Sequence, residues 1–388
     1  MTSLRLILSC VLLVLLAPRP AAAQPVYYSG SSATLALNTL ASVATNGTGQ
    51  TTLLTAKGID FNKVDRCTAV AVDGLNHRLF FVDGAASAIW SVNLDGSSLT
   101  LVKSDLTSYP TDLALDVLRQ QIYFTTSSTV TGNNTIQRMD YTGSNNVTLY
   151  TADGTSLARC TALAVDLANS KVFVADAGAQ KIWSLSLTGG SPTALAVVPN
   201  AFPTGVALDV TNRQVYFTAS SPVQAENTIQ RINYDGSDLT TSYAAAGSVE
   251  RCTALDLDLA GGVIYLSDAG AGALWRLPLV ANGSSPTTVL SGLPATAKKV
   301  RWFSGPTTRP APAVTGLSVS GGQIVLSASN GFVGGTYYLL TSTNLKAPLD
   351  QWLPISTNML GASGPFTLTA TNGFAFKLPS QFFLLQVQ

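Results

Sequence analysis

The sequence predicts an all-β fold assembled from repeated four-stranded units, and three observations carry that reading. The text from Arg159 to Gly189, RCTALAVDLANSKVFVADAGAQKIWSLSLTG, recurs almost unchanged at Arg66 to Gly96 and again from Arg251. A second version, PTDLALDVLRQQIYFTTSS…NTIQRMDYTGS, fills the gaps from Pro110 and Pro203. Self-similarity at a fixed period is the signature of stacked units that bury a core only together. Composition agrees. Gly, Ser, Thr and β-branched residues dominate, charged residues make up 11%, and no long segment carries the 3.6-residue periodicity of a helix.

Each repeat parses into four short strands. Cys160 to Asp166 alternates and forms strand one, Lys171 to Ala175 strand two, Lys181 to Leu187 strand three and Thr193 to Val198 strand four. Asn46-Gly47, Asp95-Gly96, Thr188-Gly189 and Asp235-Gly236 occupy the turn between strands three and four, where glycine supplies the positive φ of a tight hairpin. Asp73, Asp116, Asp166, Asp209 and Asp258 close strand one, placed to cap the turn that follows. Strand one begins near residues 68, 111, 161, 204 and 253, so short and long repeats alternate. The long ones insert Ser127 to Asn133 and Ser220 to Glu226 between strands two and three.

Two fragments remain. At the front, Val26 to Ser29, Asn38 to Ala44 and Thr51 to Thr55 match strands two, three and four of a long repeat whose strand one is missing. After the last full repeat, Lys298 to Phe303 is a lone alternating strand. Together they complete one unit, giving a six-bladed β-propeller closed by a C-terminal strand. Such closure shields the sheet edges that would otherwise template aggregation.

Before the repeats, Arg5, the apolar run Leu6 to Leu16 and Ala21-Ala22-Ala23 read as a secretory signal peptide, with cleavage before Gln24. The run is too short for a membrane span, and no later segment reaches the roughly 20 apolar residues a spanning helix needs. The expected products are a signal peptide at 1–23, the propeller at 24–304, a Pro-rich linker at 305–313 and a small β-sandwich at 314–388. The expected location is secreted, periplasmic or at the cell surface. The formal net charge of +1 shows no basic face of the kind that binds nucleic acid.

At this point a resemblance becomes legible. Phe80 to Asp83 (FFVD), Phe173 to Asp176 (FVAD) and Tyr265 to Asp268 (YLSD), followed by an I/L-W strand and NLDGS, resemble the YWTD-type class B repeats of low-density-lipoprotein-receptor propellers. The resemblance covers about residues 24 to 304 and implies the six-bladed fold. Thr126, Ala219 and Gly30 replace the motif Asp in the long blades, and no cysteine-rich module follows, so receptor ligands do not carry over. The text YYLLTSTNL…QWLPISTN…GPFTLTA…PSQFFLLQ is similar to a C-terminal module of large secreted bacterial proteins, which implies an accessory domain and a bacterial source.

Candidate chemistry is sparse. Cys67, Cys160 and Cys252 occupy one repeat position in an R-C-T-A motif, too far apart around a ring for disulfides; they read as buried small residues, with a three-thiolate metal site as the alternative. Arg66, Arg159 and Arg251 fall at the mouth of the channel on the face of the long loops, a pseudo-threefold set for a carboxylate or phosphate, or else salt-bridged to neighbours such as Asp65 and Glu250. Three residues after the strand-one Thr stand Ala71, Ala114, Ala164 and Ala207, but Asp256 in the last repeat. Arg301, or Lys299 with a one-residue shift, then sits beside Asp256 and fixes the register of closure as an ion pair. The lone histidine, His77, lies in a turn on the opposite face, and no P-loop, G-x-S-x-G or H-E-x-x-H occurs. The favoured reading is a non-enzymatic module binding protein or glycan on the cup face, with no cofactor. The alternative is a Ca²⁺-dependent lactonase or hydrolase using the channel, to which Asp112, Asp256, Asn134 and Asn227 are the available contributors. A structural envelope component is the third possibility.

Overall fold

The computed structural model describes residues 25–302 and 313–387 apart from short internal stretches, the longest being 56–65 and 372–381. The expected signal peptide, most of the expected linker, and Asp65 lie outside the described residues.

Six four-stranded antiparallel sheets account for the repeats. The first sheet holds β1 (Pro25–Ser31), β2 (Thr39–Ala44) and β3 (Thr51–Thr55). The second runs β4 (Cys67–Asp73), β5 (Arg78–Asp83), β6 (Ala88–Asn93) and β7 (Thr100–Lys103). The third is β8 (Tyr109–Asp116), β9 (Gln121–Ser127), β10 (Thr135–Asp140) and β11 (Val147–Thr151). The fourth is β12 (Cys160–Asp166), β13 (Lys171–Asp176), β14 (Lys181–Ser186) and β15 (Thr193–Val197). The fifth is β16 (Phe202–Asp209), β17 (Gln214–Ser220), β18 (Thr228–Asn233) and β19 (Thr240–Ala244). The sixth is β20 (Cys252–Asp258), β21 (Val263–Asp268), β22 (Ala273–Pro278) and β23 (Thr287–Leu290).

The first sheet is completed from the far end of the repeats. β24 (Thr296–Trp302) pairs antiparallel with β1, Tyr27 opposite Arg301, Tyr28 opposite Val300 and Ser29 opposite Lys299. The expected closure is what forms. The first strands then touch in cyclic order, β24 to β4, β8, β12, β16, β20 and back to β24, so the sheets make a closed ring. Between neighbouring sheets lie separate apolar clusters, such as Phe173 and Ala162 against Val206, Val215 and Phe217. Strand two supplies the largest buried side chains, among them Tyr28, Phe80, Phe124, Phe173 and Phe217; each contributes about 1.5–3 kcal/mol by leaving water. Strand-one threonines link the ring further: the Thr111, Thr161 and Thr204 hydroxyls donate to the carbonyls of Cys160, Pro203 and Cys252 in the next sheet, at 3.1, 2.7 and 3.3 Å.

The turn chemistry follows the sequence. Asp73, Asp116, Asp166, Asp209 and Asp258 each accept the backbone N–H three residues on, at 2.7–3.0 Å. His77, with φ 53°, takes the same left-handed turn position as Gln120, Ser170 and Arg213. At the strand three–four hairpins, Gly96 has φ 87°, and a Cβ there would stand 2.7 Å from the carbonyl oxygen of Leu53 in the preceding sheet. Glycine is required there twice, for conformation and for sheet-to-sheet approach.

After the ring come two three-stranded sheets. β26 (Gln323–Gly331) lies between β25 (Ala313–Ser320) and β29 (Gly364–Thr371), and β27 (Thr336–Ser342) lies between β28 (Leu353–Met359) and β30 (Phe382–Val387). Ile324, Leu326, Tyr337, Leu339, Phe366 and Leu368 form their shared core. The alternating runs of the sequence here, Leu317 to Val319, Ile324 to Ala328, Tyr337 to Thr341, Phe366 to Thr369 and Phe382 to Val387, fall on the other five strands and do not include β28. That strand contains Pro354 and sits at a sheet edge, where a missing N–H is tolerated.

Gly96→Ala should cost at least about 2 kcal/mol, combining left-handed strain with displacement of Leu53, whereas Gly49→Ala, with φ 64° and open space around it, should cost only the strain of about 1–2 kcal/mol. Urea unfolding of the two variants checks this, and equal losses would mean that sheet approach imposes nothing.

Candidate functional site

The two ends of the ring are built differently. In the short repeats one carboxylate at the end of strand two organises the cup-side end. Asp83 accepts the backbone N–H of Arg66 at 3.0 Å, Asp176 that of Arg159 at 2.8 Å, and Asp268 that of Arg251 at 2.9 Å. The same oxygens take the N–H groups of the following turn, for example Gly178 and Ala179 at 2.9 and 3.0 Å. The motif Asp therefore ties strand two to the start of strand one and fixes where each arginine leaves the ring. In the long repeats, which lack it, a buried asparagine does the work. Asn134 accepts from Ser128 N–H and donates to the carbonyls of Ser128, Val130 and Thr131. Asn227 makes the same set with Ser221, Val223 and Gln224, and Asn38 clasps Ser32 and Thr34. Sequence reading missed this role; the signal was an N-T dipeptide before strand three in each long repeat.

Arg66, Arg159 and Arg251 are exposed and immediately precede β4, β12 and β20, alternate first strands of the ring. None forms a salt bridge with a described residue, Glu250 included. Sequence reading also missed Lys298. It stands on β24, between β20 and β4 in the ring, so Arg251, Lys298 and Arg66 belong to the cup-side ends of three consecutive first strands. Burial lowers the Lys298 pKa, and the charges of Arg251 and Arg66 lower it further. Arg159 lies on the opposite side of the ring.

Inside the ring the structure redraws the expected closure pair. The register puts Arg301 opposite Tyr27, as Ala114 stands opposite Tyr123, so Arg301 rather than Lys299 shares the Asp256 position. The salt bridge of Lys299, however, is to Asp112 on β8, beyond the intervening β4. Lys299 occupies the repeat position of Asp112, where the other sheets carry Ala69, Ala162, Gly205 and Ala254, and those small residues leave the long side chain room to cross. Both partners are buried, and Asp112 also accepts the N–H groups of Leu113 and Leu163 at 2.9 and 3.1 Å. Burial, with the nearby Arg301, pulls the Lys299 pKa down to about 8. Arg301 lies 3.7 Å from Asp112. Asp256 accepts the Trp302 N–H at 2.8 Å; burial raises its pKa, opposed by Arg301, the Trp302 N–H and Lys299. So Asp256 has the cations within electrostatic reach without a direct salt bridge.

The remaining candidates are dispersed. Cys67, Cys160 and Cys252 are free and buried in three different clusters, their thiol pKa values pushed up by burial and a nearby Asp. Among the described residues no group of three or more His, Cys, Asp or Glu converges as a metal would require. Asp112 is taken up by Lys299, and Asn134 and Asn227 by their loops.

Comparison with solved structures agrees with this architecture. A chain from a nidogen/laminin complex superposes with a TM-score of 0.59 at 15% identity, covering 71% of this chain and 97% of that one. The fold is a β-propeller. A gluconolactonase from Xanthomonas campestris matches at TM-score 0.47 and 18% identity, over 66% of this chain and 87% of its own. No family model matches the sequence. At these identities the likeness speaks for fold alone. Among the described residues no helix is long and apolar enough to cross a membrane.

Two outcomes are expected. Asp112→Asn strands a buried ammonium and should cost about 3–5 kcal/mol, while the double change Asp112→Leu with Lys299→Met should recover most of it; denaturant unfolding of all three proteins decides, and a double variant no more stable than Asp112→Asn would refute the coupling. For Asp256 the native state holds a proton that the unfolded chain releases near the ordinary value of 3.8. Stability therefore falls as pH rises through the window above that value. The melting temperature of the parent minus that of Asp256→Asn should accordingly shrink on raising pH, and a flat difference would contradict the burial of this carboxyl.

Proposed function

We propose that the chain is an exported six-bladed YWTD-like propeller carrying a β-sandwich, divided as the sequence suggests, and that it works as a non-enzymatic binding module. The cup face is its binding surface, and the ligand is a protein or glycan presenting clustered carboxylate or sulfate groups. One observation supports this above others: Arg251, Lys298 and Arg66 lie near one another at the ends of consecutive first strands, and none is engaged by an acidic group among the described residues. Like charges held together are unfavourable by themselves, and an anion relieves the repulsion while matching the guanidinium forks. The backbone N–H groups of Arg66 and Arg251 are fixed by Asp83 and Asp268, so the points from which these two side chains leave the ring are set before any ligand arrives, which lowers the ordering cost of binding. The nidogen propeller belongs to a protein seen in complex with laminin, so use of this fold for protein binding has a parallel.

The test is an array of sulfated, carboxylated and neutral glycans alongside polyglutamate. Retention should be confined to the acidic probes, weaken with salt, and be lost in Arg66→Glu/Lys298→Glu/Arg251→Glu. Equal capture of neutral glycans, or a pattern unmoved by the triple charge reversal, would count against this surface.

A further inference from the structure

The opposite end of the ring holds a cavity of about 470 Å³, within the size range of small-molecule sites. Its origin is the repeat itself. Ala71, Ala114, Ala164 and Ala207 recur at one strand-one position, and four methyl groups leave the middle of the ring unfilled. The two remaining first strands place Asp256 and Arg301 at that position, so a single polar wall faces apolar ones formed by residues such as Leu163, Val206 and Leu208.

Arg301 is the informative group. Its side chain is only 14% exposed, yet its sole ion pair with a described residue is the 3.7 Å approach to Asp112, a carboxylate already used by Lys299 and by the backbone. Its guanidinium makes no hydrogen bond to a described residue, and an enclosed guanidinium with donors to spare calls for an acceptor. Lys299 and Asp112 cancel as a buried pair. Asp256 turns an oxygen to the Trp302 N–H and makes no direct salt bridge with Arg301, so it does not take up the guanidinium. The mouth is apolar. Val210, which lines it, is 46% exposed, and Leu118 and Leu259, on sister turns of the same end, are 48% and 37% exposed.

We propose that this cavity is a binding site for a small monocarboxylate with an apolar body, its carboxylate on the Arg301 guanidinium and its hydrocarbon against the alanine-lined walls. The site is separate from the cup face and stands or falls without it. Trp302, on the cavity wall, gives an optical report of occupancy.

Sodium octanoate is the probe, titrated into the purified chain by calorimetry and by tryptophan emission, with 1-octanol as its uncharged counterpart. Saturable one-site binding of octanoate is expected, with octanol weaker by roughly tenfold or more, the worth of a charge-assisted hydrogen bond. Ala164→Leu, which fills the cavity without touching a charge, should abolish binding; Arg301→Gln, verified as folded by its melting transition, should reduce octanoate affinity to that of octanol. Arg66→Glu should leave it unchanged, separating this site from the cup. Absence of saturable binding, octanol binding as tightly as octanoate, or an Ala164→Leu protein that binds like its parent would each overturn the proposal. The first two use the parent alone, so a misfolded variant cannot hide the answer.

Discussion

A ring of sheets has to be joined between strands that are distant in sequence, and here one seven-residue strand, Thr296–Trp302, makes that join with β1. Nearly everything distinctive about the molecule hangs on it. The strand is the only first strand not held by a hairpin to its own strand two. It therefore relies on pairing, on the Val300–Tyr28 core, and on charge. Its basic residues serve different places: Lys298 lies toward the cup, while Lys299 and Arg301, on the opposite face of the strand, turn into the ring, one to Asp112 and the other to the cavity wall. Because loop closure over so long a chain is entropically expensive, a buried pair that only the correct register can satisfy penalises the off-register alternatives.

The ion pair is a poor device for stability as such, since desolvation opposes the attraction. Its use is selective. A slip of β24 by one residue would either put Val300 at the Lys299 position and leave Asp112 buried without a cation, or drive Lys299 into the apolar site of Val300 beside Tyr28. A pair lying two sheets from the join also couples the first and third sheets, so the ring resists opening at more than one interface.

Much of this was legible in the sequence because a repeat is read by alignment. Strands, hairpin glycines, the Asp caps and the missing first strand of the opening unit all stand out when one unit is laid over another. What stayed hidden lies across the ring rather than along it. Asp112 departs from its repeat position just as Asp256 does, but nothing in linear order says that a lysine nearly two hundred residues away shares that position and reaches it past β4. The exchange of Asp for Asn in the long repeats is hidden for another reason. Asp83 and Asn134 do related work from different strand positions, one at the end of strand two and the other before strand three, so alignment column by column does not match them. β28 escaped because Pro354 interrupts its pattern at an edge.

The three cysteines among the described residues, Cys67, Cys160 and Cys252, open β4, β12 and β20 and stay buried with raised pKa values. A thiol reacts as thiolate and only when reached, so in the intact ring these groups are silent. They become reactive one sheet at a time, as each first strand lifts from its neighbours. The chain thus carries three internal clocks, spaced evenly around the ring and absent from the joining sheet, whose alkylation rates read out where the circle yields first.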